Sequence, residues 1–420
     1  MQIKKLSFIL KFKGEILYLF SLYFGNFVSV ISGFVAAKFL GPEVLGKINS
    51  LNLILTYTTF LHLGVFNGLN RNLSIYLAQN NINKVQNMFD ASFFVAKINS
   101  FLCLIIGAFT IIYFSINFDI VLFLTSITIT VTLILTPYIL LLDTTFRSSQ
   151  SFGIMGIIII KENFVLLITS FFPAIIGYVG KLISNLLRDL LKIYLRLKHK
   201  IYWKNSKANF QEIFELIKVG FPLLINSYLY NIFVITDQSI IVKFLGTKNL
   251  GLYSLSTIIM SVFNLIPVSL ARILYPKAGA IYGKEKNNLA LRKFFYKSLL
   301  VNLFLILPLV LITYFLIEPL TIIFLPKYTD GILAAKINLL TCLTYIAYGP
   351  SIILAITKRS HIISFFYIIG IITMWFLSFF NYNKLNLENI SLLRFIVKFI
   401  INLIIILFSY YVTTIKEFRI

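Results

Sequence analysis

Cysteine is nearly missing. Cys103 and Cys342 are the only two in the chain, and both fall in apolar stretches, which excludes a disulfide framework and leaves them as packing residues. Histidine is as sparse: His62, His199 and His361 are scattered, with no Cys or carboxylate at metal-holding spacings, so neither a metal nor any other cofactor is expected. There is no GxxxxGKS or GxxxxGKT phosphate loop, and nucleotide hydrolysis by that route is excluded. Charge is thin as well, 13% of residues, about half the roughly 25% of soluble domains. MQIKKLSFILKFKG lacks a cleavage site and is broken by Lys11 and Lys13, so the first apolar run is expected to stay as a retained helix.

What is present in excess is apolar sequence: 59% of residues are hydrophobic and mean hydropathy is +0.89. Runs of about 20 apolar residues are what a helix needs to cross about 30 Å of hydrocarbon. Twelve occur, near 16–37, 48–69, 91–114, 118–141, 152–172, 174–195, 217–242, 250–274, 295–316, 332–356, 361–381 and 392–414. The loops expected outside stay below about fifteen residues, which leaves an outward-facing enzyme little room.

The net charge of +23 raises the question of an anionic partner such as nucleic acid. Its distribution answers it. Lys4, Lys5, Lys11 and Lys13, then Arg71, Lys84 and Arg147, then RDLLKIYLRLKHKIYWKNSK and RILYPKAGAIYGKEKNNLALRKFFYK fall in alternate loops. Lys358, Arg359, Lys416 and Arg419 complete the set. That is the positive-inside pattern; it places both termini in the cytoplasm and makes the charge a matter of topology, with no nucleic acid required.

KFLGPEVLG at 38–46 returns as KFLGTKNLG at 243–251, and the same offset of 205 pairs Asn26 with Asn231 and Ile54 with Ile259. The half-chain is duplicated, with six spans per copy, so both copies insert the same way round. The expected fold is an all-α integral membrane protein with about twelve transmembrane helices in two parallel six-helix lobes around a central cavity. The lobes are placed at 1–196 and 217–420, joined by a cytoplasmic basic linker at 197–216 that leads into NFQEIFELIK, an amphipathic segment ahead of span seven. Gly41, Gly46, Gly246 and Gly251 read as residues of a short outer turn, where positive φ costs glycine nothing.

KFLGPEVLGKINSLNLI, LIKVGFPLLINSYLYNIFVITDQSIIVKFLGTKNLGLYSLS and FRSSQSFGIMGIIIIKENFVLLI resemble the first, seventh and fifth helices of the bacterial polysaccharide (O-antigen, Wzx-type) flippases. That family shares a superfamily with lipid II flippases and multidrug antiporters. The resemblance implies a bacterial inner-membrane transporter that carries an undecaprenyl-diphosphate-linked oligosaccharide to the outer leaflet by alternating access. Its partners would be the anionic lipid-linked cargo, membrane lipid and other polysaccharide-assembly membrane proteins. Rival readings are a cation-coupled drug or ion antiporter of the same fold, a facilitator-type sugar transporter, and a polytopic oligosaccharide polymerase or ligase.

Charges inside spans are costly unless they face water, pair or snorkel. Lys161 and Glu162 lie near the centre of span five, and Lys161 resembles the basic residue often found mid-helix there in the family. Lys161 is read as a cavity cation for a diphosphate, or else as half of an ion pair with Glu162 or Asp237. Arg71 and Arg272 end the second spans of the two copies and are read as cargo contacts or as positive-inside anchors. Asp237 resembles a family carboxylate, and either binds a coupling cation or is held by a structural partner. Lys336, Arg394 and Lys398 are placed near helix ends, with a lesser claim on function.

Overall fold

The computed structural model describes residues 2–199, 209–285, 290–357 and 359–414, with side chains described from Lys13 onward except at 272, 273, 276, 280, 283–285 and 290. Lys204, Lys286, Lys358, Lys416 and Arg419 of the topology argument lie outside the described residues.

Among the described residues thirteen α-helices run α1 (Gln2–Thr58), α2 (Val65–Ala78), α3 (Ile82–Ile116), α4 (Ile120–Ser148), α5 (Phe152–Thr169), α6 (Phe172–Lys198), α7 (Phe210–Leu245), α8 (Thr247–Glu285), α9 (Ala290–Phe324), α10 (Ile332–Thr341), α11 (Tyr348–Ile356), α12 (Ser360–Phe380) and α13 (Leu387–Thr414). Among the described residues there is no strand. Among the described residues ten helical stretches are long and apolar enough to cross a membrane; counting α1 as two crossings and adding α6 brings the number to twelve. At 57 residues α1 is far too long for one span, and it breaks at Gly41, where φ is 72° and Pro42 starts a second helix. α6 breaks near its start at Gly177, where φ is 60°, and the stretch from Tyr178 to Lys198 that follows is long enough to cross although its charges lower its apolarity. One crossing is itself divided: Pro350 has no N–H for the Ile346 carbonyl, and a 3-10 turn at Cys342–Ala347 separates α10 from α11.

Contacts divide the chain into two compact units, one of Met1–Leu40 and Leu51–Tyr228, the other of Gly41–Ser50 and Leu229–Ile420. Where the charge pattern placed a linker at 197–216, residues 200–208 lie outside the description and α7 already begins at Phe210. Its first turns pack into unit 1 through Leu216, buried beside Leu69, Leu73 and Met88, and through Lys84, whose ammonium lies 2.9 Å from both Glu212 and Glu215. Unit 2 is centred on Phe233, Ile240, Tyr253, Ile353, Met374 and Ile401.

The repeated motif divides its glycines between two tasks. Gly41 and Gly246, with φ of 72° and 82°, turn the chain as expected. Gly46 and Gly251 do not belong to a turn. They lie inside helices, and within unit 2 they let two backbones touch: a Cβ on Gly46 would sit 1.8 Å from the Thr247 carbonyl oxygen, and one on Gly251 1.6 Å from that of Pro42. The contact is reciprocal at the offset that relates the two copies of the motif, and Asn49 donates to Ser254 at 2.9 Å across the same offset of 205. Small residues at a crossing are how membrane helices gain packing, since lipid gives no hydrophobic drive to associate.

Candidate functional site

Unit 2 buries a polar cluster at the level where α7, α8, α10 and α13 meet. Asn386 caps α13, accepting from the Asn389 amide at 2.7 Å, so the helix starts at Leu387 rather than near 392. This moves Arg394 and Lys398 two and three turns into the helix, not near its end as the apolar run suggested. Ser391, Arg394 and Lys398 then share one face at helical spacing.

Arg394 is 2% exposed and Asp237 1%, and the guanidinium donates to that carboxylate. Tyr253 also donates to Asp237, accepts from Arg394 Nη1 at 3.1 Å, and lies 3.1 Å from Asn338 Oδ1. Asn338 in turn donates to Ser391 at 2.8 Å. A carboxylate held this way has its charge matched, and of the two roles open to Asp237 the geometry gives it a structural partner.

Beside this cluster lies a cavity of about 210 Å³. Arg394 and Lys398 line it, with Tyr230, Tyr345, Tyr348 and Tyr367. Tyr230 and Tyr348 are joined through their hydroxyls, and the Tyr367 ring packs 5.2 Å from Phe233 and 5.7 Å from Tyr230. Lys398 is 4% exposed, and its ammonium lies 5.4 Å over the Phe233 ring. Among the described residues that ammonium has no ion pair and no hydrogen bond. Phenol hydroxyls, side-chain amides and an unmatched cation suit an oxyanion or a sugar; they form no nucleophile and base arrangement.

Unit 1 handles its charges differently. Arg196 on α6 reaches Asp143 on α4 at 2.6 Å and Glu162 on α5 at 2.7 Å. Asp189 accepts from Lys192 at 2.8 Å and from Thr132 at 2.7 Å, with Arg188 3.8 Å away. The basic run RDLLKIYLRLK is therefore only partly a topology signal, because Lys192 and Arg196 neutralise buried acids. Lys181, about two turns before Arg188 on the same helix, donates to Ser32 at 3.0 Å.

Of the residues singled out by sequence, Glu162 and Asp237 are taken by Arg196 and Arg394. Lys161 is exposed on α5, on the face that carries Ile154, Ile157, Phe164 and Ile168, and has no ion pair or hydrogen bond among the described residues. Arg71 is exposed on α2. Arg272 lies in α8 with its side chain outside the description. No hydrogen bond or ion pair joins any two of these five among the described residues. Reasoning from sequence missed Tyr253 and Asn338 altogether; the signal was the polar residues recurring inside apolar spans, which a count of charges passes over.

The family described as "Polysaccharide biosynthesis protein" matches residues 35–330, more than half of the chain. The chain belongs to that family. Its fold is that of the MOP-superfamily transporters. A multidrug resistance MATE-family transporter of that superfamily, in an inward-facing conformation, superposes with a TM-score of 0.71 at 13% identity, covering 94% of this chain and 98% of that one. The lipid II flippase MurJ, inward closed, gives 0.68 at 17% identity over 94% and 87%. A MOP-superfamily transporter from Pyrococcus furiosus, described as having a binding pocket of reversed polarity, gives 0.63 at 13% over 96% of each chain. No protein of curated function matches this family member at a significant level.

Proposed function

We propose that the protein is a flippase for a lipid-linked oligosaccharide bearing an anionic diphosphate, moving it from the cytoplasmic to the outer leaflet of the bacterial inner membrane by alternating access. Membership of a polysaccharide biosynthesis family and a fold shared with the lipid II flippase MurJ support this reading. The observation that carries it is Lys161: a cation in the middle of a membrane-spanning helix whose nearest sequence acid, Glu162, already belongs to Arg196. A diphosphate cannot enter hydrocarbon unaided, and it gains most from a cation where water and salt screen least. Arg71 and Arg272 are further cations on the cargo's route. The cargo is carried, not transformed, and both termini face the cytoplasm.

The antiporter reading needs an acid open to a cation, and Asp237 holds the guanidinium of Arg394 instead. Replacing Lys161 tests the proposal. Lys161→Ala is expected to cut export of the glycan by about tenfold or more, the factor that about 1.4 kcal/mol represents, at normal protein levels. Lys161→Arg should keep part of the export and Lys161→Glu none. Full export by Lys161→Ala, or recovery when Glu162→Ala is added to it, would overturn the role given to this cation.

A further inference from the structure

The tyrosine-lined cavity of unit 2 shares a wall with a second cavity of opposite character. The second, about 270 Å³, lies between α9 and α13 and is lined by Leu299, Leu303, Phe395, Phe399, Leu403 and Ile406. Thr344 and Asn402 line both. The reason is written along α13. Arg394, Lys398 and Asn402, four residues apart, face the polar cavity, while Phe395, Phe399 and Leu403, each one residue further on, face the apolar one. A step of one residue is about 100° around a helix of 3.6 residues per turn. Phe399 and Leu403 are half exposed, so the apolar cavity opens on the side of the helix that meets lipid.

An apolar slot open to lipid on one side and adjoining a cationic cavity at Thr344 and Asn402 on the other fits an amphiphile. The polar cavity, below the ~300–1,000 Å³ of pockets that enclose whole ligands, takes the diphosphate, and the oligosaccharide joined to it stays outside. Its charge is not balanced: Asp237 answers Arg394, and Lys398 is left over. Holding that ammonium away from water is costly, and an arriving anion recovers the cost. Lipid tails are already in an apolar solvent, so the slot adds little affinity. Its role is to let the tail stay in the bilayer while the head is held inside.

We propose that unit 2 binds an isoprenoid diphosphate, with the diphosphate on Lys398 among the tyrosines, Thr344 and Asn402 at the junction, and the isoprenoid tail in the slot between α9 and α13. Lys398 stands about 16 Å along α13 from Leu387 at 1.5 Å per residue, so the head is held about half-way through the membrane. This site is a stage of the crossing and rests on the flippase reading.

The test uses the full-length protein in phosphatidylcholine nanodiscs and farnesyl diphosphate carrying a diazirine in its tail. Labelling is expected on α9 and α13 around Leu303 and Leu403. It should be competed by inorganic pyrophosphate but not by farnesol. Lys398→Met is expected to lower it about tenfold, Lys398→Arg to retain it, and Leu303→Trp, which fills the slot, to displace it from α13. Equal labelling of Lys398→Met in folded protein, or competition by farnesol as strong as by pyrophosphate, would overturn the site. So would pyrophosphate-sensitive labelling that falls elsewhere, which would mark a site for free phosphate. Export in cells keeps the two claims apart: undiminished export by unlabelled Lys398→Met overturns the site alone, whereas wild-type labelling as expected in a protein whose deletion leaves export intact supports the site and overturns the flippase reading.

Discussion

In unit 1 three cations of α6, Arg188, Lys192 and Arg196, meet three carboxylates, Asp143, Glu162 and Asp189, while a further one, Lys181, donates to the Ser32 hydroxyl. In unit 2 two cations of α13, Arg394 and Lys398, meet the one carboxylate Asp237, and a cavity opens where the match fails. Buried charge therefore has two uses in one molecule. Where the signs cancel, the group fastens α4, α5 and α6 to each other, and nothing further is asked of it. Where they do not cancel, a cation is kept in a place that only an anion from outside can complete.

The comparison breaks most visibly at Arg196. Arg196→Met leaves Asp143 and Glu162 without their partner, and removing one side of a buried pair costs about 3–5 kcal/mol. Loss of the protein from the membrane, read by immunoblot and by melting in detergent, is the expected outcome. Adding Asp143→Leu and Glu162→Leu should restore much of the stability, because an apolar set of similar volume replaces the ionic one. Next in size is Asp237→Asn, which keeps the shape of the contact with Arg394 and Tyr253 but not its charge. About 1.5–3 kcal/mol, the range for a hydrogen bond to a charged group, should be lost, and any fall in export should track the fall in folded protein. A fall in export with melting unchanged would instead return Asp237 to ion coupling. The smallest effect belongs to Lys84, whose ion pairs with Glu212 and Glu215 are part-exposed. Lys84→Met should cost about 1 kcal/mol or less, and less again in high salt.

The contrast also explains what the sequence disclosed. Span number and the turns at Gly41 and Gly246 were legible, because hydrocarbon thickness and positive φ act on residues that lie together in the chain. Gly46 and Gly251 were misread as turn residues, since the backbone each one touches is about half a chain away. Arg394 and Lys398 were placed near a helix end because α13 opens on Glu388 and Asn389, polar residues that hide its first turn from a hydropathy reading. Lys192 and Arg196 passed for topology signals, because a cation that anchors a loop and one that neutralises a buried acid look alike until Asp143, Glu162 and Asp189 are seen beside them. Lys161 was legible as an outlier in an apolar run; that Glu162 was not its partner required the position of α6.

The claim that an unmatched cation in unit 2 is kept for an anionic head is tested most directly by the melting of Lys398→Met with and without farnesyl diphosphate. A ligand that binds the folded state raises its melting temperature. The account predicts that, without ligand, the variant melts at or above the wild type, since an uncompensated buried charge has been replaced by an apolar chain of similar length. It predicts that farnesyl diphosphate raises the melting temperature of the wild type and not that of the variant. A variant that melts well below the wild type without ligand, or that gains as much from the diphosphate, would contradict it.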